Sequence, residues 1–140
     1  MKPSLLASRK LHLNIIAFAI PFLGILTLML IGGYSPFGEY SMLYSDMYHQ
    51  YFPFFKEFRA SILSGDSLLY NWNIGMGLDF LGLFSYYLAS PLNLLSILVP
   101  EKWLLGYFSL LVPIKLGLAS MFFGIFLQKV FQEKILNLKH

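Results

Sequence analysis

Hydrophobic and polar positions along the chain fall into three long apolar runs and one stretch where aromatics alternate with polar groups. The first run, "LHLNIIAFAIPFLGILTLMLIGG" over 11–33, covers about 34 Å as a helix rising about 1.5 Å per residue, enough to cross a bilayer core. Pro21 is tolerable inside it, because neighbouring helices can satisfy the carbonyl it frees. The last run, 103–131, predicts a second transmembrane helix over 103–128. The middle run, 80–99, is different in kind. Ser85, Ser90, Pro91, Asn93 and Ser96 interrupt it, and Tyr86 and Tyr87 favour an interface. It reads as an interfacial or re-entrant helix bent at Pro91, with a third span as the alternative.

Residues 34–79 form a loop between the first two runs. Within it Tyr44, Tyr48, Tyr51, Phe55, Phe58 and Ile62 recur at alternating spacings of four and three, one apolar face of an amphipathic helix over about 45–64. Gly65 supplies a stop. Beside a membrane anchor such a helix is expected to lie along the bilayer surface with its aromatics among the headgroups. Pro53 takes away the N–H that would bond the His49 carbonyl, so a break or kink is predicted there. The stretch "YNWNIGMGLDF" (70–80) reads as a turn in which Gly75 and Gly77 permit close backbone approach. Its G-M-G lacks the third glycine and the strand–helix context of a dinucleotide fingerprint.

Composition sets the solvent. With 57% hydrophobic and 12% charged residues and a mean hydropathy of +0.65, the chain reads as an all-α integral membrane protein: two transmembrane helices flanking a loop with amphipathic juxtamembrane helices. The ten Lys and Arg are scattered instead of striped, so no nucleic-acid partner is implied. There is no cysteine. Lys2, Arg9 and Lys10 in segment 1–10 and Lys129, Lys134 and Lys139 in the basic tail 129–140 put both termini in the cytoplasm and loop 34–79 outside, by the positive-inside rule. A cleaved signal is disfavoured, since the first apolar run exceeds a usual h-region and no small-residue cleavage site follows it.

The loop carries Glu39, Asp46, Glu57, Asp66 and Asp79, five of the seven acids. Asp46, His49 and Gln50 stand at i, i+3 and i+4, a spacing that brings all three to one helix face. On pattern alone, Ser45 or Asp46 is first an N-cap and only second a catalytic carboxylate. His49 has no second histidine at ligand spacing, and no metal is predicted. Lys56 and Arg59 form an i, i+3 pair suited to a lipid phosphate, with a solvated face as the default because Glu57 lies beside them. Lys115, in the middle of the last span, either meets an anionic group or snorkels.

The segments "SDMYHQYFPFFKEFR" and "GMGLDFLGLFSYYLASPLNLL" resemble the YfhO family of bacterial membrane proteins, which belongs to the GT-C class of glycosyltransferases, and the likeness covers nearly the whole chain. It implies the N-terminal part of a GT-C-like enzyme in a bacterial cell membrane. Such an enzyme moves a sugar from a polyprenyl-phosphate donor to a cell-envelope polymer such as teichoic acid. Asp46 matches the acid near the end of the first span that acts there as catalytic base or metal ligand, and His49, Gln50, Lys56 and Arg59 are the expected substrate-binding residues. Many GT-C loops pair that acid with another two residues away. Here those positions hold Tyr44 and Tyr48, which argues against a divalent metal. Family members are several times longer, so the resemblance implies that a donor cavity needs further transmembrane segments or another subunit, this chain alone being inactive or incomplete. Two other functions stay open: a small non-enzymatic membrane protein that binds a partner through its aromatic loop helix, and a transporter or permease component built around Lys115.

Overall fold

The structure is a computed structural model, described over residues 3–137 for the backbone and 9–131 for the side chains. The predicted basic tail therefore falls partly outside the described residues, at the Lys134 side chain and at Lys139, as does Lys2 at the other end. The chain forms two compact units, one of residues up to Gly32 together with those from Leu110 onward, the other of Gly33–Ser109.

In the first unit, helix α1 (Pro3–Ile31) starts well before the predicted 11–33 and stops at Ile31, where Gly32 and Gly33 turn the chain. Its membrane-length part is Arg9–Ile31, and Pro21 stays inside the helix. Helix α5 (Leu104–Asn137) supplies the other apolar length, Glu101–Phe131 counting the 3-10 turn Glu101–Trp103 before it. Both are long and apolar enough to cross a membrane. They run antiparallel, because Phe18 meets Gly117, Ala17 meets Gly124 and the Gln128 amide donates to Asn14 Oδ1 at 2.8 Å. A Cβ on Gly117 would stand 2.8 Å from the Phe18 ring and 3.1 Å from its carbonyl, so the absent side chain is what lets the helices approach. In lipid, where burying apolar surface gains nothing, such close packing and interhelical hydrogen bonds are the forces left to pair spans.

The second unit is organised around one aromatic helix. The expected helix over 45–64 is present, but it begins as a π turn (Met47–Tyr51) that runs directly into α2 (Phe52–Ser64). The kink expected at Pro53 is replaced by this wide turn. Its i→i+5 pattern, seen where the Phe52 N–H bonds the Met47 carbonyl, reaches past the missing donor, and Pro53 then sits in the first turn of α2, where no N–H is needed. Gly65 ends α2 in the left-handed conformation (φ 76°), and the Asp66 N–H returns to the Ser61 carbonyl at 2.9 Å.

The aromatic face of α2 is spent inside the protein, contrary to the headgroup placement expected from sequence. Phe58 stacks on Phe80 and meets Phe84 at a tilt, and Phe55 lies against Tyr107 and Phe108. Phe55 and Phe58 are fully buried, whereas Tyr44, which precedes the helix, is 85% exposed and Tyr48, in the π turn, is exposed as well. An antiparallel hairpin, β1 (Tyr70–Asn71) with β2 (Leu78–Asp79), follows; the all-α reading did not contain it.

Segment 80–99 folds as two short helical pieces bent by 111°. Asp79 caps α3 (Phe80–Leu83) by accepting from the Leu81 and Gly82 N–H groups, and a π turn (Phe84–Leu88) continues it. Ser90 is extended, the conformation favoured before a proline, and α4 (Pro91–Leu94) and a 3-10 turn (Leu95–Leu98) lead away. Buried Asn93 donates to the Leu88 and Tyr87 carbonyls at 3.0 and 3.4 Å, satisfying acceptors that the bend strands.

Candidate functional site

Asp46 stands at the entry to the π turn with helical backbone angles (φ −62°, ψ −27°), and its side chain makes no capping hydrogen bond. The expected side-chain cap is therefore corrected. Ser45 adopts a left-handed conformation (φ 50°), and its carbonyl accepts the N–H groups of Tyr48 and His49 at 3.0 and 3.1 Å. The first turn is closed by backbone alone, and the exposed Asp46 carboxylate has no hydrogen bond or ion pair among the described residues.

Beyond it lies a cluster of phenols. Tyr51 and Tyr87 meet edge-on with ring centroids 4.9 Å apart, Tyr86 and Tyr87 likewise at 5.5 Å, and Phe54 flanks Tyr87 at 6.3 Å. A hydrogen bond with Tyr86 pushes the Tyr51 hydroxyl above its ordinary pKa, the negative charge of Asp46 adding a smaller push in the same direction. Tyr51 thus stays protonated, a donor, at physiological pH. Burial pushes Tyr87 up too, and its hydroxyl is buried with no hydrogen-bond partner among the described residues. An unpaired buried hydroxyl costs about 1–3 kcal/mol, so this one asks for a reason.

The other sequence-derived candidates do not gather around Asp46. His49 is exposed and stands edge-on to Tyr48 at 5.1 Å, and Gln50 is half-buried. A π turn holds more residues per turn than an α-helix, so the i, i+3, i+4 alignment of Asp46, His49 and Gln50 is loosened. Lys56 and Arg59 both reach Glu101, at 3.1 and 2.9 Å. Arg59 also donates Nε to the Ser96 carbonyl (2.9 Å) and Nη2 to the Val99 carbonyl (2.7 Å), closing the C-terminus of the Leu95–Leu98 turn. Its guanidinium is thereby engaged on all three nitrogens. Among the described residues Lys56 pairs with the exposed Glu101 alone. Lys115 takes part in neither ion pair among the described residues.

Among the described residues no three His, Asp or Glu side chains gather to hold a metal ion. Sequence reasoning missed the tyrosine cluster. Its only signal was the Tyr86–Tyr87 doublet, read as an interface marker, and the partner Tyr51 lies 35 residues away, counted from Tyr86.

A mostly helical chain with two membrane-length helices and a buried aromatic loop helix defines an integral membrane protein. Residues 17–139 match the family described as bacterial membrane protein YfhO, and the chain belongs to that family. Neither the curated proteins nor the solved structures give a match to it.

Proposed function

We propose that the protein is the N-terminal part of a membrane glycosyltransferase of the GT-C kind, with Asp46 as its base. The observation that carries this reading is the Asp46 carboxylate itself, exposed, uncommitted to capping or pairing among the described residues, and close enough to the Tyr51 hydroxyl to help keep it protonated. In the proposed reaction Asp46 takes the proton of an acceptor hydroxyl, that oxygen bonds the anomeric carbon, and the bond from carbon to the polyprenyl-phosphate oxygen breaks, the phosphate leaving with the electron pair. The acceptor is a cell-envelope polymer such as teichoic acid. His49 and Gln50 hydrogen-bond sugar hydroxyls, and Lys56 turns from Glu101 toward the leaving phosphate. Arg59, with its three contacts, holds the loop in place. The reading sets 34–79 and both termini as the charge asymmetry does, loop outside and ends in the cytoplasm. Further spanning helices, in the same polypeptide or another subunit, complete the donor cavity.

The partner-binding alternative, through Tyr51 and Phe55 of the loop helix, has less support because those rings already pack on Tyr87 and on Phe108. Transport gains no observation beyond Lys115. The test is sugar transfer from a labelled polyprenyl-phosphate donor by membranes carrying Asp46→Asn: loss of about 10²-fold or more, with insertion intact, is expected, and transfer at the unmutated rate would end the proposal.

A further inference from the structure

The hairpin β1–β2 and the end of α2 enclose a groove of about 450 Å³ lined by Asp66, Ser67, Tyr70, Asn71, Trp72 and Asn73, none of which belongs to the Asp46 cluster. Its floor is rigid. Glu57 Oε1 accepts from Asn71 Nδ2 (2.8 Å) and from Asn73 Nδ2 (2.7 Å), Asn71 Nδ2 also reaches Ser61 Oγ (3.2 Å), and Asn71 Oδ1 accepts the Asn73 N–H (2.7 Å). Asn73 lines the groove with its amide nitrogen committed to Glu57, while its side-chain oxygen accepts no hydrogen bond among the described residues. Asp66 uses Oδ2 for Ser64 (2.5 Å) and keeps Oδ1. The wall is aromatic: Trp72 stands 4.8 Å from Tyr70, at 69° to it, and is 76% exposed. Gly77 (φ 108°) sets this pair. A Cβ there would fall 2.9 Å from Tyr70 Cζ and 3.2 Å from Trp72 Cε3, so both rings lean on bare backbone.

We infer that this groove binds a neutral saccharide, one ring lying on the Trp72 indole with its hydroxyls on Asp66 and Asn73. A pyranose has an apolar C–H face, whose slightly positive hydrogens suit the negative face of an indole, and a rim of hydroxyls that planar amides and carboxylates can satisfy. The volume lies within the range of small-ligand sites, which combine aromatic lining with a few placed polar groups. The lining excludes the competitors. Among the described residues no Lys or Arg borders the groove, and Lys56 and Arg59 are held at Glu101, so a phosphate would meet Asp66 uncompensated. Acyl chains are equally unsuited, because a carboxylate and two amides would have to enter hydrocarbon with them. The inference goes beyond sugar transfer: binding here is read without any turnover at Asp46, so one can fail while the other stands.

The chain has two tryptophans, and Trp103→Phe leaves Trp72 as the sole reporter. The full chain carrying that change, in phosphatidylcholine nanodiscs, is titrated with maltotriose and with the N-acetylglucosamine trisaccharide while Trp72 emission is followed. A saturable change with at least one of them at millimolar concentration or below is expected, weakened about tenfold by Asp66→Ala and by Asn73→Ala. Gly77→Ala, which displaces both rings, abolishes it. A flat response to both sugars up to about 10 mM overturns the inference, as does a response unchanged by both alanine variants. Strong quenching of Trp72 by brominated acyl chains overturns it too, by placing the indole in the bilayer.

Discussion

Replacing Arg59 by Met keeps most of the aliphatic stem and removes the fork that holds the Leu95–Leu98 turn. Two of the lost bonds run to backbone carbonyls, Ser96 O at 2.9 Å and Val99 O at 2.7 Å, and Ser96 is fully buried. A hydrogen bond from a charged donor contributes about 1.5–3 kcal/mol, so the pair is worth about 3–6 kcal/mol before relaxation. Water reaches the half-buried Val99 in the variant and recovers part of this, leaving an expected loss of about 2–4 kcal/mol. The third contact adds little, because Glu101 is 59% exposed and exposed ion pairs contribute about 0–1 kcal/mol. Lys56→Ala serves as the control, since it removes only an exposed pair to the same Glu101 and should cost no more than about 1 kcal/mol. The midpoint of thermal unfolding in micelles, followed by Trp103 emission in a full chain carrying Trp72→Phe, should drop by about 10 °C or more for Arg59→Met and by a few degrees for Lys56→Ala. Equal shifts in the two variants would refute the claim that Arg59 acts on backbone carbonyls instead of through charge. Arg59→Lys distinguishes further: a point charge cannot serve Ser96, Val99 and Glu101 together and should recover less than half of the loss.

Other consequences are open to simpler measurements. Tyr87→Phe removes a buried hydroxyl without a partner and should leave thermal stability equal or raise it by about 0–2 kcal/mol; a clear loss would mean the hydroxyl is satisfied after all. The same residue sets an alkaline dependence. Its folded pKa is raised, so its contribution is complete below the ordinary tyrosine value of about 10 and is lost as pH rises above it. Melting temperature against pH should accordingly fall less steeply above that value in Tyr87→Phe than in the parent, and parallel curves would contradict this. Gly117→Leu places a side chain where a Cβ already meets Phe18 at 2.8 Å, so disulfide trapping between cysteines engineered at 17 and 124 should slow markedly in that background. Unchanged trapping would argue against the antiparallel pairing of the two spans.

Periodicity made the two spans and the Phe55–Phe58 face of α2 legible, because a repeat sustained over several turns survives any local irregularity. What it could not show was where that face points. Beside an anchor, headgroups and protein interior demand the same apolar stripe, and only the distant rings of Phe80, Phe84 and Phe108 decide between them. Pro53 was legible as a lost donor, but whether the chain breaks or widens into a π turn depends on how the neighbours pack, which no local rule encodes. The hairpin was illegible for a different reason, since strands of two residues carry no alternation; Gly75 and Gly77 marked a turn and nothing more. The partners that Arg59 holds within the fold were illegible, because they lie 37 to 42 residues away. Asp46 looked like a cap because caps are chosen by residue type, whereas here the left-handed Ser45 lends its backbone carbonyl to the first turn.

The central claim is that this freed carboxylate is a base. Its most direct test compares initial rates of sugar transfer to the envelope polymer in membranes carrying equal, protease-verified amounts of the inserted parent and of Asp46→Asn, the amide keeping size and polarity while giving up the proton acceptor. A rate lower by about 10²–10⁴-fold is predicted, the range that a positioned general base supplies. Equal rates in the two membranes would contradict the account.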